Sequence, residues 1–207
     1  LRDDGRIILF QGAVDIGQGS NTVISQICAD AIGVSIDCFD LVYGDTDLTA
    51  DAGKTSASRQ TFISGKAAFL AGSVLRNRLL TICDAPLSAR LQLNGNTLLA
   101  SVENSTWTVQ LDQLPADQDG FIATAEETYD PPTQPLDKDG QGEPYASFGY
   151  GAQMVELSVD TALGTTKLIK ITAAHDVGKI INPVLAEGQV HGGIAQGIGM
   201  ALMEEFV

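Results

Sequence analysis

The stretch Arg6-Ile7-Ile8-Leu9-Phe10-Gln11-Gly12-Ala13-Val14-Asp15-Ile16-Gly17-Gln18-Gly19-Ser20-Asn21 places a β-rich apolar run before a glycine-rich turn. Gly5 and Gly12 bound the run, so it reads as a strand. Past the turn, Val23, Ile24, Ile27, Cys28, Ala31 and Ile32 recur at three-to-four spacing, the period of one helix face. Ser20 or Asn21 is the expected N-cap and Gly33 the expected stop. Ile36 to Tyr43 then reads as a second strand, giving strand, turn, helix and strand in order.

Thr46 to Gln60 has no apolar period and is dense in Thr, Ser, Asp and Gly, which marks a long loop of the kind that often carries function. A helix is expected from Thr61 to near Asp84–Pro86, with Ala67, Ala68, Ala71, Val74, Leu75 and Leu79 facing inward and Arg76, Asn77 and Arg78 outward. Residues 87–128 read as an inserted β region, with Asn94-Gly95 turning a hairpin. Asp130 to Pro144 holds four of the seven prolines and is polar, so it is the expected boundary. Beyond it, Gly151–Asp160 and Thr165–Ala174 predict a hairpin, and Asn182-Pro183 opens a glycine-rich helix. The fold class is therefore α+β. Its expected division is a first α/β part over 1–130 with the β insertion, a Pro-rich loop over 131–144, and a hairpin plus helix over 145–207.

Composition narrows the function. The 207 residues are 44% hydrophobic, enough to bury a core, and the net charge of -14 repels phosphate backbones and anionic lipid. Nucleic acid and membrane are thus excluded as expected partners, and no apolar run approaches the roughly 20 residues of a spanning helix. Cys28, Cys38 and Cys83 form neither an even disulfide set nor a Cys-x-x-Cys pair, which favours a reducing, cytoplasmic setting. Leu1 in place of methionine, and a strand that opens at once, point to a chain cut from something longer.

Gly17-Gln18-Gly19 lies between strand and helix, where main-chain amides and the positive helix end can receive an anion or a polar ring edge. A plain tight turn fits the same residues. Thr55-Ser56-Ala57-Ser58-Arg59-Gln60-Thr61 sets hydroxyls and a guanidinium before a helix, a pattern suited to phosphate. Ordinary capping by Ser58 or Thr61 is the other reading. His175 and His191 have no spacing that recruits a second ligand, so no metal-ligand set is expected. Glu204-Glu205 reads as a solvated helix face.

Four ordered segments resemble the molybdenum hydroxylase family, which includes xanthine dehydrogenase, aldehyde oxidase, nicotinate dehydrogenase and carbon monoxide dehydrogenase. They are Val14 to Ser20; Thr55 to Thr61 with Ser64-Gly65; His175-Asp176-Val177-Gly178 with Ile181-Asn182-Pro183; and Gly188 to Gly197. The resemblance implies a molybdenum–molybdopterin cofactor, in its cytosine dinucleotide form if the source is bacterial. By the same resemblance Gly17, Gln18 and Gly19 touch the pterin, and Ala57, Ser58, Arg59 and Gln60 cradle its phosphate or dinucleotide portion. Gln196 would lie beside the pterin near the metal. The implied activity is hydroxylation of a heterocycle or aldehyde with water as oxygen donor. Electrons would leave through 2Fe-2S and FAD groups carried on partner domains or subunits, not on this chain. The family's catalytic glutamate sits in a Gly-Glu-Pro-Pro type motif expected beyond Val207. Gly142-Glu143-Pro144 imitates the motif but lies upstream, so Glu143 reads as surface and no catalytic residue is assigned here. The chain is then expected to need the remainder of the molybdenum subunit for turnover. A non-catalytic cofactor-binding or assembly module is the alternative.

Overall fold

The computed structural model describes residues 1–56 and 58–205. Its α+β architecture divides into two compact units, Leu1–Asp130 and Pro131–Val207.

In the first unit, β1 (Ile7–Gln11) pairs in parallel with β2 (Phe39–Tyr43), Ile7 opposite Phe39 and Gln11 opposite Tyr43. A parallel pair needs a crossover, and α1 (Ser20–Ile32) supplies it. Gly33 ends α1 in the left-handed conformation at φ 86°, and the amides of Gly33 and Val34 both donate to the Ala29 carbonyl. Arg6 staples the two strands together: its guanidinium donates to the Asp40 carboxylate and to the carbonyls of Asp37 and Phe39. Ile36–Cys38, expected within the second strand, instead forms a short 3-10 turn under Ser35, whose hydroxyl accepts from the Asp37 amide.

The long helix α2 (Gln60–Ile82) packs along α1 because two of its glycines clear the way. A Cβ at Gly72 would lie 2.8 Å from Ala31 Cβ and 2.9 Å from the Cys28 carbonyl, and one at Gly65 would lie 2.8 Å from Ile27 Cδ1. Arg76 is not on a free outer face as expected: its guanidinium donates to the carbonyls of Ile32, at the end of α1, and Ala89. β3 (Arg90–Asn94), β4 (Thr97–Val102) and β5 (Ser105–Gln110) form an antiparallel sheet. Asn94 pairs with Thr97, so the hairpin loop is Gly95-Asn96, one residue past the Asn94-Gly95 expected. Ile24, Ile32, Leu79, Leu80, Leu98 and Leu111 are fully buried in one core spanning α1, α2 and this sheet. Burial pushes the Cys28 thiol up to about 12, which keeps it a neutral apolar filler.

The second unit opens with the Pro-rich segment, where Gln134 and Glu143 bridge through their main chains. β6 (Tyr150–Asp160) and β7 (Thr165–Asp176) form a long antiparallel hairpin with a bulge at Glu156/Leu157. α3 (Pro183–Leu202) follows, its first turn fixed by Pro183 and by the Asn182 side chain, which accepts from the Leu185 amide. α3 ends before Glu204-Glu205, so that pair lies past the helix rather than on its face. Among the described residues no helix is long and apolar enough to cross a membrane.

Candidate cofactor-binding site

The glycine-rich turn between β1 and α1 is built around a side chain that its sequence pattern does not advertise. Neither Ser20 nor Asn21 caps α1; the N-cap is Gly19, left-handed at φ 82°, with no side-chain cap of its own. Asp15 does that work from upstream. Its Oδ1 accepts from the amides of Gly17 at 2.8 Å and Gly19 at 3.3 Å, and its Oδ2 accepts from Asn21 at 3.2 Å. Partial burial acts to raise the Asp15 pKa, but the amides of Gly17, Asn21 and Gly19 outweigh it and hold the carboxyl below its ordinary value. Gln18 folds back on the same turn, accepting from the Ile16 amide at 2.7 Å and donating to the Val14 carbonyl at 3.4 Å.

Three amides of this segment, those of Gln18, Ser20 and Thr22, find no acceptor among the described residues. Two buried side-chain atoms flanking it are also unpartnered, Gln11 Oε1 at the end of β1 and Ser20 Oγ at the start of α1. Buried polar atoms are normally satisfied, so such orphans call for a missing partner. Gly17, at φ 101°, has open space where a Cβ would stand.

The second loop comes directly against the first. A Cβ on Gly12 would lie 1.8 Å from the Ala50 carbonyl oxygen, an approach only glycine allows. Farther along that loop, Thr55 Oγ1 both accepts from the Val14 amide at 3.2 Å and donates to its carbonyl at 3.0 Å. Neither Ser58 nor Thr61 caps α2; its N-cap is Arg59, again without a side-chain bond. Ser58 is exposed and held at φ 53°, a conformation uncommon outside glycine. Arg59 Nη1 donates to the carbonyls of Ala52 and Lys54, both at 3.0 Å, so part of the guanidinium braces its own loop. The buried Gln60 side chain reaches Thr55 Oγ1 at 3.1 Å and accepts from the Ser64 hydroxyl. Ala57 lies outside the described residues.

The first unit therefore brings Gly17, Gln18 and Gly19 together with the loop of Ser58, Arg59 and Gln60. The sequence missed Asp15, Gly12 and Thr55 as the parts that join them; an acid just ahead of a Gly-x-Gly turn was the available signal. In the second unit Gln196 is exposed midway along α3, and a Cβ at Gly188, Gly192, Gly193 or Gly197 would meet nothing within 4 Å. Glu143 is exposed as well. Among the described residues no group of His, Cys, Asp and Glu can hold a metal ion. Free amides at the N-terminus of α1 and the unpartnered Ser20 hydroxyl are donors suited to an anionic group.

The chain belongs to the molybdopterin cofactor-binding domain family, which matches residues 1–207. It is 32% identical over 216 residues to a putative xanthine dehydrogenase molybdenum-binding subunit of Escherichia coli, covering 100% of this chain and 27% of that protein. The gamma subunit of the 6-hydroxypseudooxynicotine dehydrogenase complex of Paenarthrobacter nicotinovorans is 29% identical, over 98% of this chain and 25% of its own length. Among solved structures, the aldehyde oxidoreductase of Desulfovibrio desulfuricans superposes with a TM-score of 0.76 at 25% identity, over 100% of this chain and 20% of that one. The fold is also that of quinoline 2-oxidoreductase from Pseudomonas putida, with a TM-score of 0.71 at 22% identity, over 99% of this chain and 26% of that one.

Proposed function

We propose that this chain grips a molybdenum–molybdopterin cofactor, in the cytosine dinucleotide form, as one part of a cytoplasmic molybdenum subunit that hydroxylates a heterocycle or aldehyde with oxygen from water. The cofactor, when bound, supplies the redox and oxygen-transfer chemistry. The turn at Gly17, Gln18 and Gly19 meets the pterin through main-chain donors. The loop of Ala57, Ser58, Arg59 and Gln60 takes the phosphate or dinucleotide, and Gln196 lies beside the pterin. Electrons leave through 2Fe-2S and FAD groups on partner domains or subunits, and the remainder of the molybdenum subunit completes the catalytic pocket.

The observation that carries this reading is the junction at Val14 and Thr55, which ties two donor-bearing loops into one piece. Its test uses the assembled subunit carrying Gln18→Ala or Arg59→Ala. Each is expected to lower the pterin retained per subunit severalfold while shifting the melting temperature little, since loop residues contribute less to global stability than core ones. Parallel losses of pterin and melting temperature would count against it. Complementation separates a catalytic part from a passive carrier: supplying this chain to a subunit that lacks it restores turnover only in the first case.

A further inference from the structure

The amides of the glycine-rich turn fall into two interleaved sets. Those of Gly17, Gly19 and Asn21 converge on the Asp15 carboxylate, while those of Gln18, Ser20 and Thr22 have no acceptor among the described residues. A chain with alternate amides pinned by one anion cannot easily rotate a peptide unit to present the pinned set elsewhere. The unpinned set is thereby fixed in direction before any ligand arrives, which lowers the ordering cost of binding. Ser20 adds a second, independent feature: the residue is 3% exposed and its hydroxyl has no partner.

We propose that Asp15 is a positioning residue for the cofactor turn. It holds the odd-numbered amides so that the amides of Gln18 and Ser20, with the Ser20 hydroxyl, form the donor face that meets the bound anion. Asp15 itself does not touch the ligand. Its charge, placed close to an anionic guest, is tolerable because three main-chain donors already neutralise it in part. This inference rests on the proposed function, and it relocates the contacts: Gly17 and Gly19 serve by their backbone geometry, and their amides are spent on Asp15.

The test compares Asp15→Asn and Asp15→Ala with a control, Ile24→Val, in the assembled apo-subunit dialysed against molybdopterin. Ile24 is 1% exposed in the α1 core, so the control loosens the same helix without altering the turn. Bound pterin is read from fluorescence after release and oxidation, and melting temperature is read alongside. Both Asp15 variants are expected to bind about tenfold or more weakly, because bonds to a charged acceptor that order the donor face are lost. The Ile24→Val subunit should bind like the wild type despite a comparable fall in melting temperature. Equal weakening in all three variants would mean that stability alone carries the effect, and would overturn the positioning role. Unchanged or tighter binding by the Asp15 variants would overturn it too, the latter by making Asp15 a competitor for the anion site. Failure of the wild type to take up pterin would sink the proposed function itself and this inference with it.

Discussion

Two of the chain's Gln-Gly steps, Gln18-Gly19 and Gln196-Gly197, are built in opposite ways. In Gly17-Gln18-Gly19 the polar atoms are largely committed: Gln18 bonds its own turn, Asp15 takes alternate amides, and Thr55 locks the neighbouring loop. At Gln196-Gly197 the residues sit in a regular helix, Gln196 is exposed, and the surrounding glycines have open space. In the first case glycine is used for backbone geometry and close approach; in the second it clears a helix face. A glutamine followed by a glycine therefore says little about its role until the backbone around it is known.

Alanine scanning of glycines should give opposite signs in the two regions. Gly12→Ala would drive a methyl group to within 1.8 Å of the Ala50 carbonyl, pushing the two loops apart. We expect a loss of about 2–3 kcal/mol, the scale of overpacking against unyielding backbone. Faster hydrogen exchange over residues 44–56 would report it, and unaltered exchange there would separate the loops and break the comparison.

Acid should act next most strongly on the braced turn. The Asp15 carboxyl is held low despite partial burial, by the amides of Gly17, Asn21 and Gly19; that of Asp40 is held low by its hydrogen bond to Arg6. A depressed carboxyl stabilises the fold fully above its unfolded value of about 3.9 and loses that contribution as pH falls through the folded value. The fluorescence of Trp107, the sole tryptophan, should thus show a melting temperature that is flat near neutrality and falls below about pH 4. Asp15→Asn should flatten part of the acid limb. An acid limb unchanged in this variant would remove Asp15 from the bracing scheme.

Gly192→Ala, by contrast, meets nothing within 4 Å and replaces a poor helix former with the best. Slower exchange of α3 amides, by up to about 1 kcal/mol, is expected, and destabilisation would mean the glycine is needed for close packing. The smallest effect belongs to Ser20→Ala. Removing a buried hydroxyl that has no partner should leave melting temperature unchanged or slightly raised. A clear drop would show that the hydroxyl is satisfied within the fold.

Much of this organisation is legible in the residues. The three-to-four spacing of Val23 through Ile32 and the stop at Gly33 locate α1, and the alternation around Asn94-Gly95 locates the β3–β4 hairpin. What the sequence hides is long-range or conformational. Asp15 caps a helix from four to six residues upstream, so the local preference for Ser20 or Asn21 pointed to the wrong group. Arg76 looks like a solvated charge until the end of α1 is brought to it. Gly12 and Thr55 become a joint only once β1 and the long loop are neighbours. Part of the Arg59 guanidinium goes to carbonyls of its own loop, a use that residue type alone does not distinguish from phosphate binding.

The role of the Asp15-braced turn is tested most directly by a crystal structure of the assembled subunit with its cofactor bound. Pterin atoms are expected within hydrogen-bond distance of the Gln18 or Ser20 amide, with the Asp15 bonds to Gly17, Gly19 and Asn21 intact. A cofactor bound away from this turn, or one whose arrival displaces Asp15 from those amides, would contradict that role.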